Sequence, residues 1–274
     1  MTIFKVGICQ MLVKEEKENN LKHAEEMIRE AASNGSKWVV LPEMFNCPYE
    51  NRYFPEFAEA YPGPTTTLLS NLAGELGIFL VGGSIPEKEG DHIYNTSYTF
   101  DNTGALIGKH RKVHLFDIDV AGGIRFKESD ILSPGGEVTV VHTAEASVGI
   151  AICYDMRFPE IMRLMAIEGA QIIILPAAFN MTTGPVHWEL SARARALDNQ
   201  VFFIAASPAR NLEATYHAYG HSMIVNPWGT VIAEADEEET ILYGEVDLSI
   251  VEKVRRELPL LEHRRVDLYH LERK

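Results

Sequence analysis

The stretch Ser147-Val-Gly-Ile-Ala-Ile-Cys153-Tyr-Asp-Met-Arg157-Phe-Pro159-Glu160 decides how the chain is built. Its first half is an unbroken run of apolar and small residues, the pattern of a strand buried on both faces. Its second half reads as a tight turn into a helix, with Pro159 in the first helical turn, where a missing N–H costs nothing. Strand, turn and helix in succession make an α/β unit. A thiol at such a junction gains two things. The helix N-terminus favours thiolate over thiol, and free N–H groups there can hold a developing oxyanion. Cys153 is therefore a candidate nucleophile. The plainer alternative is a small core thiol, the commoner fate of a lone cysteine.

The same alternation extends in both directions. Phe4–Met11 reads as a strand, and Glu16–Asn34 as a helix through Leu21, Ala24, Met27, Ile28 and Ala31, stopped at Gly35. Trp38–Leu41 is a buried strand, Thr66–Glu75 a helix stopped at Gly77, and Ile78–Ile85 a strand again. Asn95–Phe100 and Ala105–Lys109 flank Asp101-Asn-Thr-Gly104, a hairpin signature. Beyond Cys153 come helix Pro159–Glu168, strand Gln171–Leu175, a helix near 186–198 and strand Val201–Ala206. A second hairpin follows around Asn226-Pro-Trp-Gly229, then the last strand, Ile241–Val246, and an amphipathic helix.

One internal echo carries weight. Gly35…Leu41-Pro-Glu-Met-Phe-Asn46 matches Gly169…Leu175-Pro-Ala-Ala-Phe-Asn180 at a constant offset of 134 (175 − 41 and 169 − 35). We read two related β-α-β halves. Glu43 in one copy is Ala177 in the other, so the turn itself does not need a carboxylate. Whatever requires Glu43 is chemistry rather than architecture; the alternative is a capping or surface glutamate. Cys9, with no turn after it, reads as a core thiol.

Composition narrows the functions. The 274 residues are 46% hydrophobic and 23% charged, as in an ordinary globular protein, and suffice for one domain spanning 1–274. A net charge of −14 argues against nucleic acid or an anionic membrane as partner. No apolar run approaches the roughly 20 residues of a membrane span. Met1-Thr-Ile-Phe-Lys-Val6 passes straight into a strand pattern and does not read as a secretory leader. Cys9, Cys47 and Cys153 are odd in number, with no C-x-x-C spacing, which argues against a disulfide framework and a zinc site. The expected compartment is reducing, hence cytoplasmic.

A cysteine amidase or nitrilase needs a thiol, a general base and an oxyanion stabiliser. Glu43 and Cys153 both stand at carboxyl ends of predicted strands, the edge where α/β sites gather. The cation is sought in Gly108-Lys-His-Arg-Lys-Val-His114, where alternation puts His110, Lys112 and His114 on one face. A solvated basic edge strand is the alternative. In a strand, His110 and His114 are not spaced to bring their rings together on a metal. Arg157 could bind a substrate carboxylate or pair with Asp155 or Glu160, while Arg193 and Arg195 read as structural. Tyr49, Phe116 and Met181 lie in loops beside motif residues and are candidate pocket walls.

With Leu41-Pro-Glu43, Arg111-Lys112-Val-His114 and Cys153-Tyr-Asp-Met-Arg-Phe-Pro-Glu160 in this order, the chain resembles the nitrilase superfamily of carbon–nitrogen hydrolases along essentially its whole length. Pro42–Phe57 and His114-Leu-Phe-Asp-Ile-Asp-Val120 look most like the Nit2-type ω-amidase branch. The resemblance implies an α/β four-layer α-β-β-α sandwich, Glu43 as base, Lys112 as oxyanion-stabilising cation and Cys153 as nucleophile. It further implies Glu128 as a second glutamate positioning the lysine and substrate, the Tyr154 backbone N–H at the oxyanion, and no cofactor. Lys112 and the helix N-terminus are expected to lower the Cys153 pKa.

Where related sequences carry Pro-Gly-Lys after Val120, this chain has Ala121-Gly-Gly123. The expected activity is hydrolysis of the terminal amide of a small dicarboxylic acid monoamide, in at least a homodimer. The helix after Cys153 is expected at the interface. Deaminated-glutathione amidase, N-carbamoyl amidohydrolase and nitrilase are the rival activities. A catalytically silent binding protein on the same fold is the rival of another class, opposed by the joint presence of Glu43, Lys112, Glu128 and Cys153.

Overall fold

A computed structural model describes residues 2–274; of the opening stretch, Met1 lies outside them. The first half runs β1 (Ile3–Gln10), α1 (Lys17–Ser33), β2 (Trp38–Val40), α2 (Phe54–Phe57), α3 (Pro64–Leu76), β3 (Phe79–Val81), β4 (Ile85–Glu89), β5 (His92–Phe100) and β6 (Leu106–Arg111). A short flap, β7 (Asp117–Asp119) with β8 (Arg125–Lys127), leads to β9 (Thr139–His142) and β10 (Ser147–Ile150). The second half continues α4 (Pro159–Ile167), β11 (Ile172–Pro176), α5 (Gly184–Asn199), β12 (Phe202–Ala206), β13 (Met223–Val225), β14 (Val231–Glu234), β15 (Thr240–Asp247) and α6 (Ser249–Glu257).

Two sheets result. In the first, β1, β2 and β3 are parallel neighbours, with β15 antiparallel on the outer side of β1. On its other side β3 and β4 share one edge of β5, and β6 takes the opposite edge. The second sheet is ordered β14-β13-β12-β11-β10-β9, with β10, β11 and β12 parallel. The echoed segments thus occupy matching places in two β-α-β halves.

Strand alternation explains the layers. Trp38 and Val40 of β2 face inward with Val6 and Ile8 of β1, against Val148, Ile150, Ile172, Ile174, Phe202 and Ile204 of the second sheet. The intervening residues point outward. Val39 and Leu41 pack under Ala24, Met27 and Ile28 of α1 and Leu69 and Leu72 of α3. Ile173, Leu175 and Phe203 pack under Met162 and Met165 of α4 and Trp188 and Ala192 of α5. A strand covered on both faces must be apolar at every position. The fold is the α-β-β-α sandwich that the resemblance implies. Among the described residues no helix is long and apolar enough to cross a membrane.

The expected strand 78–85 is two strands, and the break serves the site. Between them Gly83 has φ +56, and a Cβ there would stand 2.1 Å from the Pro42 carbonyl oxygen. Next to it Ser84 donates its N–H to that same oxygen at 3.2 Å, and its hydroxyl accepts the Met44 N–H at 3.1 Å. The crossing chain therefore braces the Leu41-Pro42-Glu43-Met44 turn, in which Met44 itself has φ 51. Gly35 has φ +86 but open space around the missing Cβ. Gly83→Ala should lose at least about 2 kcal/mol in urea unfolding, from left-handed strain plus the collision, and Gly35→Ala about 1 kcal/mol, from strain alone. Equal losses would show that the Pro42 contact imposes nothing.

Candidate active site

Glu43 follows β2, Lys112 follows β6, and Cys153 follows β10 through Ala151 and Ile152. All three converge and are buried, at 1%, 0% and 4% exposure. Arg111 turns outward to Glu87, at 2.8 and 2.9 Å, while its neighbour Lys112 turns in. The solvated-edge alternative for Lys112 is thereby removed. Its Nζ lies 2.9 Å from Glu43 Oε1 and 2.9 Å from Glu128 Oε1. Tyr49 sits at the same junction, its hydroxyl 2.6 Å from Glu128 Oε1, 3.3 Å from Glu43 Oε1 and 3.2 Å from Lys112 Nζ. Glu128, on a 3₁₀ turn after β8, is fixed from the other side by the Phe116 N–H, 2.6 Å from Oε2.

The two oxygens of Glu43 differ. Oε1 accepts from Lys112, from Tyr49 and from Asn95 Nδ2 at 2.8 Å. Oε2 is buried and takes no hydrogen bond from a nitrogen or oxygen donor among the described residues, while the Cys153 thiol is close enough to interact with the Glu43 carboxylate. A buried carboxylate oxygen without a donor carries a desolvation cost of a few kcal/mol. It is also the oxygen free to take a proton. Asn95 is a site residue that the sequence reading missed; its carbonyl also accepts the Lys112 N–H at 2.8 Å. The available signal was a polar, buried Asn-Thr-Ser run in the hairpin strand before the lysine.

Cys153 opens a 3₁₀ turn, Cys153–Arg157, with φ 45, and α4 starts only at Pro159. A non-glycine residue held there stores about 1–3 kcal/mol of strain, a common device for presenting a nucleophile. The expected lowering of its pKa is corrected. Burial, then the Glu43 carboxylate, push the thiol well above its ordinary range, against Lys112 and the Ala178 N–H, which favour thiolate. Burial also raises Glu43, against the pull of Lys112. For Lys112 burial opposes the charge, but Glu128 and Glu43 outweigh it and hold the ammonium well above its usual range.

The remaining candidates separate. Tyr49 is buried, and burial keeps its phenol protonated. The Phe116 ring stands edge-on to Tyr154, 5.3 Å between centroids. Arg157 pairs with neither Asp155 nor Glu160. Its guanidinium lies 4.8 Å from the Phe179 ring centroid, with Nη1 3.1 Å from His187 Nδ1, and it forms no ion pair among the described residues. Met181 stands apart, 42% exposed. Arg193 and Arg195 bond the Gly229 and Met156 carbonyls, at 2.8 and 2.9 Å. His110 and His114 do converge, on Asp155. A narrow cleft lined by Glu43, Cys47, Tyr49, Ala178 and Tyr216 adjoins the group.

A buried thiol, a carboxylate with one free oxygen and a fixed ammonium are the parts of acyl transfer through a thioester. A carbon–nitrogen hydrolase family model matches residues 5–256, and the chain belongs to that family. It is 53% identical to the omega-amidase NIT2-A of Xenopus laevis, over 100% of this chain and 99% of that protein. To the Homo sapiens omega-amidase NIT2 it is 49% identical, over 100% and 99%. Among solved structures, Saccharomyces cerevisiae Nit3, a member of branch 10 of the nitrilase superfamily, matches with TM-score 0.89 and 46% identity, over 96% of this chain and 97% of that one.

Glu43→Gln removes the nearest negative charge from the thiol. A charge that penalises thiolate is then gone, so Cys153 should ionise at lower pH than in the unaltered protein. Alkylation of Cys153 by iodoacetamide, followed against pH by peptide mass, should show its midpoint moved down. A midpoint unmoved or higher would show that Glu43 does not oppose the thiolate.

Proposed function

We propose that this protein is an ω-amidase, hydrolysing the terminal amide of a small dicarboxylic acid monoamide such as 2-oxoglutaramate or 2-oxosuccinamate to acid and ammonia. The observation that carries the chemistry is the free Glu43 Oε2 beside a Lys112 ammonium that is held by Glu43 Oε1 and Glu128 Oε1. The substrate class rests on the near-half identity, over the full chain, to proteins named omega-amidases.

No thiolate is stored in the resting site. Glu43 and Cys153 are both raised, and raising a base towards its acid eases transfer between them. As the sulfur attacks the amide carbon, its proton passes to Glu43 Oε2. The carbonyl π pair moves to oxygen, where Lys112 and the Tyr154 N–H hold the oxyanion. Lys112, kept firmly charged, acts by its field and gives up no proton. Glu43 then protonates the amide nitrogen, the C–N bond breaks and ammonia leaves, with the acyl group on sulfur. Water, deprotonated by the same Glu43, attacks the thioester; the C–S bond breaks and the proton returns to sulfur. Glu128 and Tyr49 keep Lys112 in place, and the cycle uses no cofactor. The chain acts as one catalytic domain.

Arg157, without a carboxylate of its own, receives the substrate's free carboxylate. Losing one charge-assisted hydrogen bond costs roughly 1.5–3 kcal/mol, so ω-amides with a free α-carboxylate should exceed their methyl esters about ten- to hundredfold in kcat/KM. Ammonia release across ω-amides, carbamoyl compounds and nitriles measures this, with Cys153→Ser as an inactive control. Equal rates on acid and ester would remove carboxylate recognition, and carbon dioxide released with ammonia would mark a carbamoyl hydrolase.

The assembly is at least a homodimer. On α4, Ile161, Met162, Met165 and Ala166 are covered within the chain, so that helix supplies little beyond Ile167. The surplus is on α5, where Val186, Leu190 and Leu197 are 61%, 68% and 40% exposed on one face, with Trp228 at 45%. Leu190→Glu should convert a dimer by light scattering into a monomer; an unaltered protein that is monomeric and fully active sinks the idea. Three buried free thiols suit a reducing compartment, the cytoplasm.

A further inference from the structure

Asp155 takes no part in the chemistry above, yet its side chain is completely buried and accepts from four donors. Oδ2 lies 3.1 Å from His110 Nε2 and 3.1 Å from the Ile152 N–H. Oδ1 lies 2.9 Å from the His114 N–H and 2.8 Å from His114 Nδ1. These donors come from two segments only. Residues 110 and 114 flank Lys112 two positions to either side, while Ile152 and Asp155 itself flank Cys153. One carboxylate therefore clasps the loop that carries the cation to the turn that carries the thiol.

The clasp is braced from outside. His110 Nδ1 reaches Thr139 Oγ1 at 3.0 Å, and the His114 ring stacks on Phe158 with centroids 3.7 Å apart and planes 9° from parallel. A buried carboxylate is costly unless its lone pairs are filled. Here they are, and the hydrogen bonds from His110 and His114 outweigh burial to hold this carboxyl well below the usual range. An amide of the same shape could not accept four bonds, since one of its two ends is a donor. Negative charge is thus specifically used here, in a place where a purely structural link needs none.

We propose that Asp155 is a positioning residue that sets the separation of Lys112 from Cys153, and so the placing of the oxyanion cation on the attacked carbonyl. This rests on the roles given to Lys112 and Cys153 under the proposed function. Cation and nucleophile arrive on β6 and β10, which belong to different sheets, and no ladder pairs those two strands to fix their distance. A misplacement of about 1 Å between such groups costs up to about a hundredfold in rate.

The test uses the full-length protein and the amide it hydrolyses fastest. In Asp155→Asn the Ile152 N–H and His110 Nε2, which both meet Oδ2, face an NH₂ group. In His114→Ala the ring link is lost, while the Asp155 charge and its bonds to the Cys153 turn remain. Each should lower kcat on the order of ten- to hundredfold and leave KM within about twofold, because substrate contacts are untouched. Unfolding midpoints monitor the fold, and if Asp155→Asn does not fold, His114→Ala decides alone. Wild-type kcat in His114→Ala, or a change confined to KM, overturns the positioning role while the amidase reading stands. An unaltered protein that hydrolyses no amide, or an active Cys153→Ser, overturns both readings together.

Discussion

The constraint on which the rest of this structure depends is an ammonium buried away from the surface. Lys112 is fully buried and touches two carboxylates and a phenol. Removing one partner from such a cluster leaves an uncompensated buried charge, which costs several kcal/mol. Glu43, Glu128 and Tyr49 are therefore held by the stability of the fold as well as by any chemistry. With two carboxylates around one ammonium, the cluster already leans negative. A resting thiolate would add another negative charge, which is why burial and Glu43 together favour the thiol form of Cys153.

The duplicated architecture explains how so compact a cluster is assembled. Each half delivers a Leu-Pro turn from the carboxyl end of a central parallel strand, where α/β sheets place their sites. The halves then diverge. The first turn carries Glu43 and is braced by the Gly83–Ser84 crossing. The second carries Ala177 and Ala178, and offers a backbone N–H to the sulfur instead. The same turn therefore presents a carboxylate in one half and a neutral backbone donor in the other.

Much of this was legible in the sequence because it is local. Helix periodicity, the Gly35 and Gly77 stops, the hairpin turns and the Cys153 turn are all encoded within a few residues of where they act. The echo revealed the two halves, and the Glu43/Ala177 mismatch singled out the glutamate. What escaped was what depends on partners distant in sequence. The run Lys109–Lys112 reads as solvated because its linear context does not show that Glu43, 69 positions away, will meet Lys112. For the same reason Asn95 and the Asp155 clasp were invisible, and the thiol's ionisation was misjudged. Spacing shows a cation near Cys153; only packing shows that burial and Glu43 outweigh it.

The first sheet also ties the start of the chain to its end. Ile3–Gln10 pairs along its whole length with Thr240–Asp247, and the Leu248 N–H donates to the Thr2 carbonyl. As the chain leaves the ribosome, β1 is made long before its outer neighbour β15. Until then the row of N–H and C=O groups along β1 has no partner, and such an edge invites pairing with other chains. The six strands of the second sheet lie within residues 139–234 and depend on no such late arrival. Synthesis thus leaves the outer edge of β1 open until β15 arrives to close it.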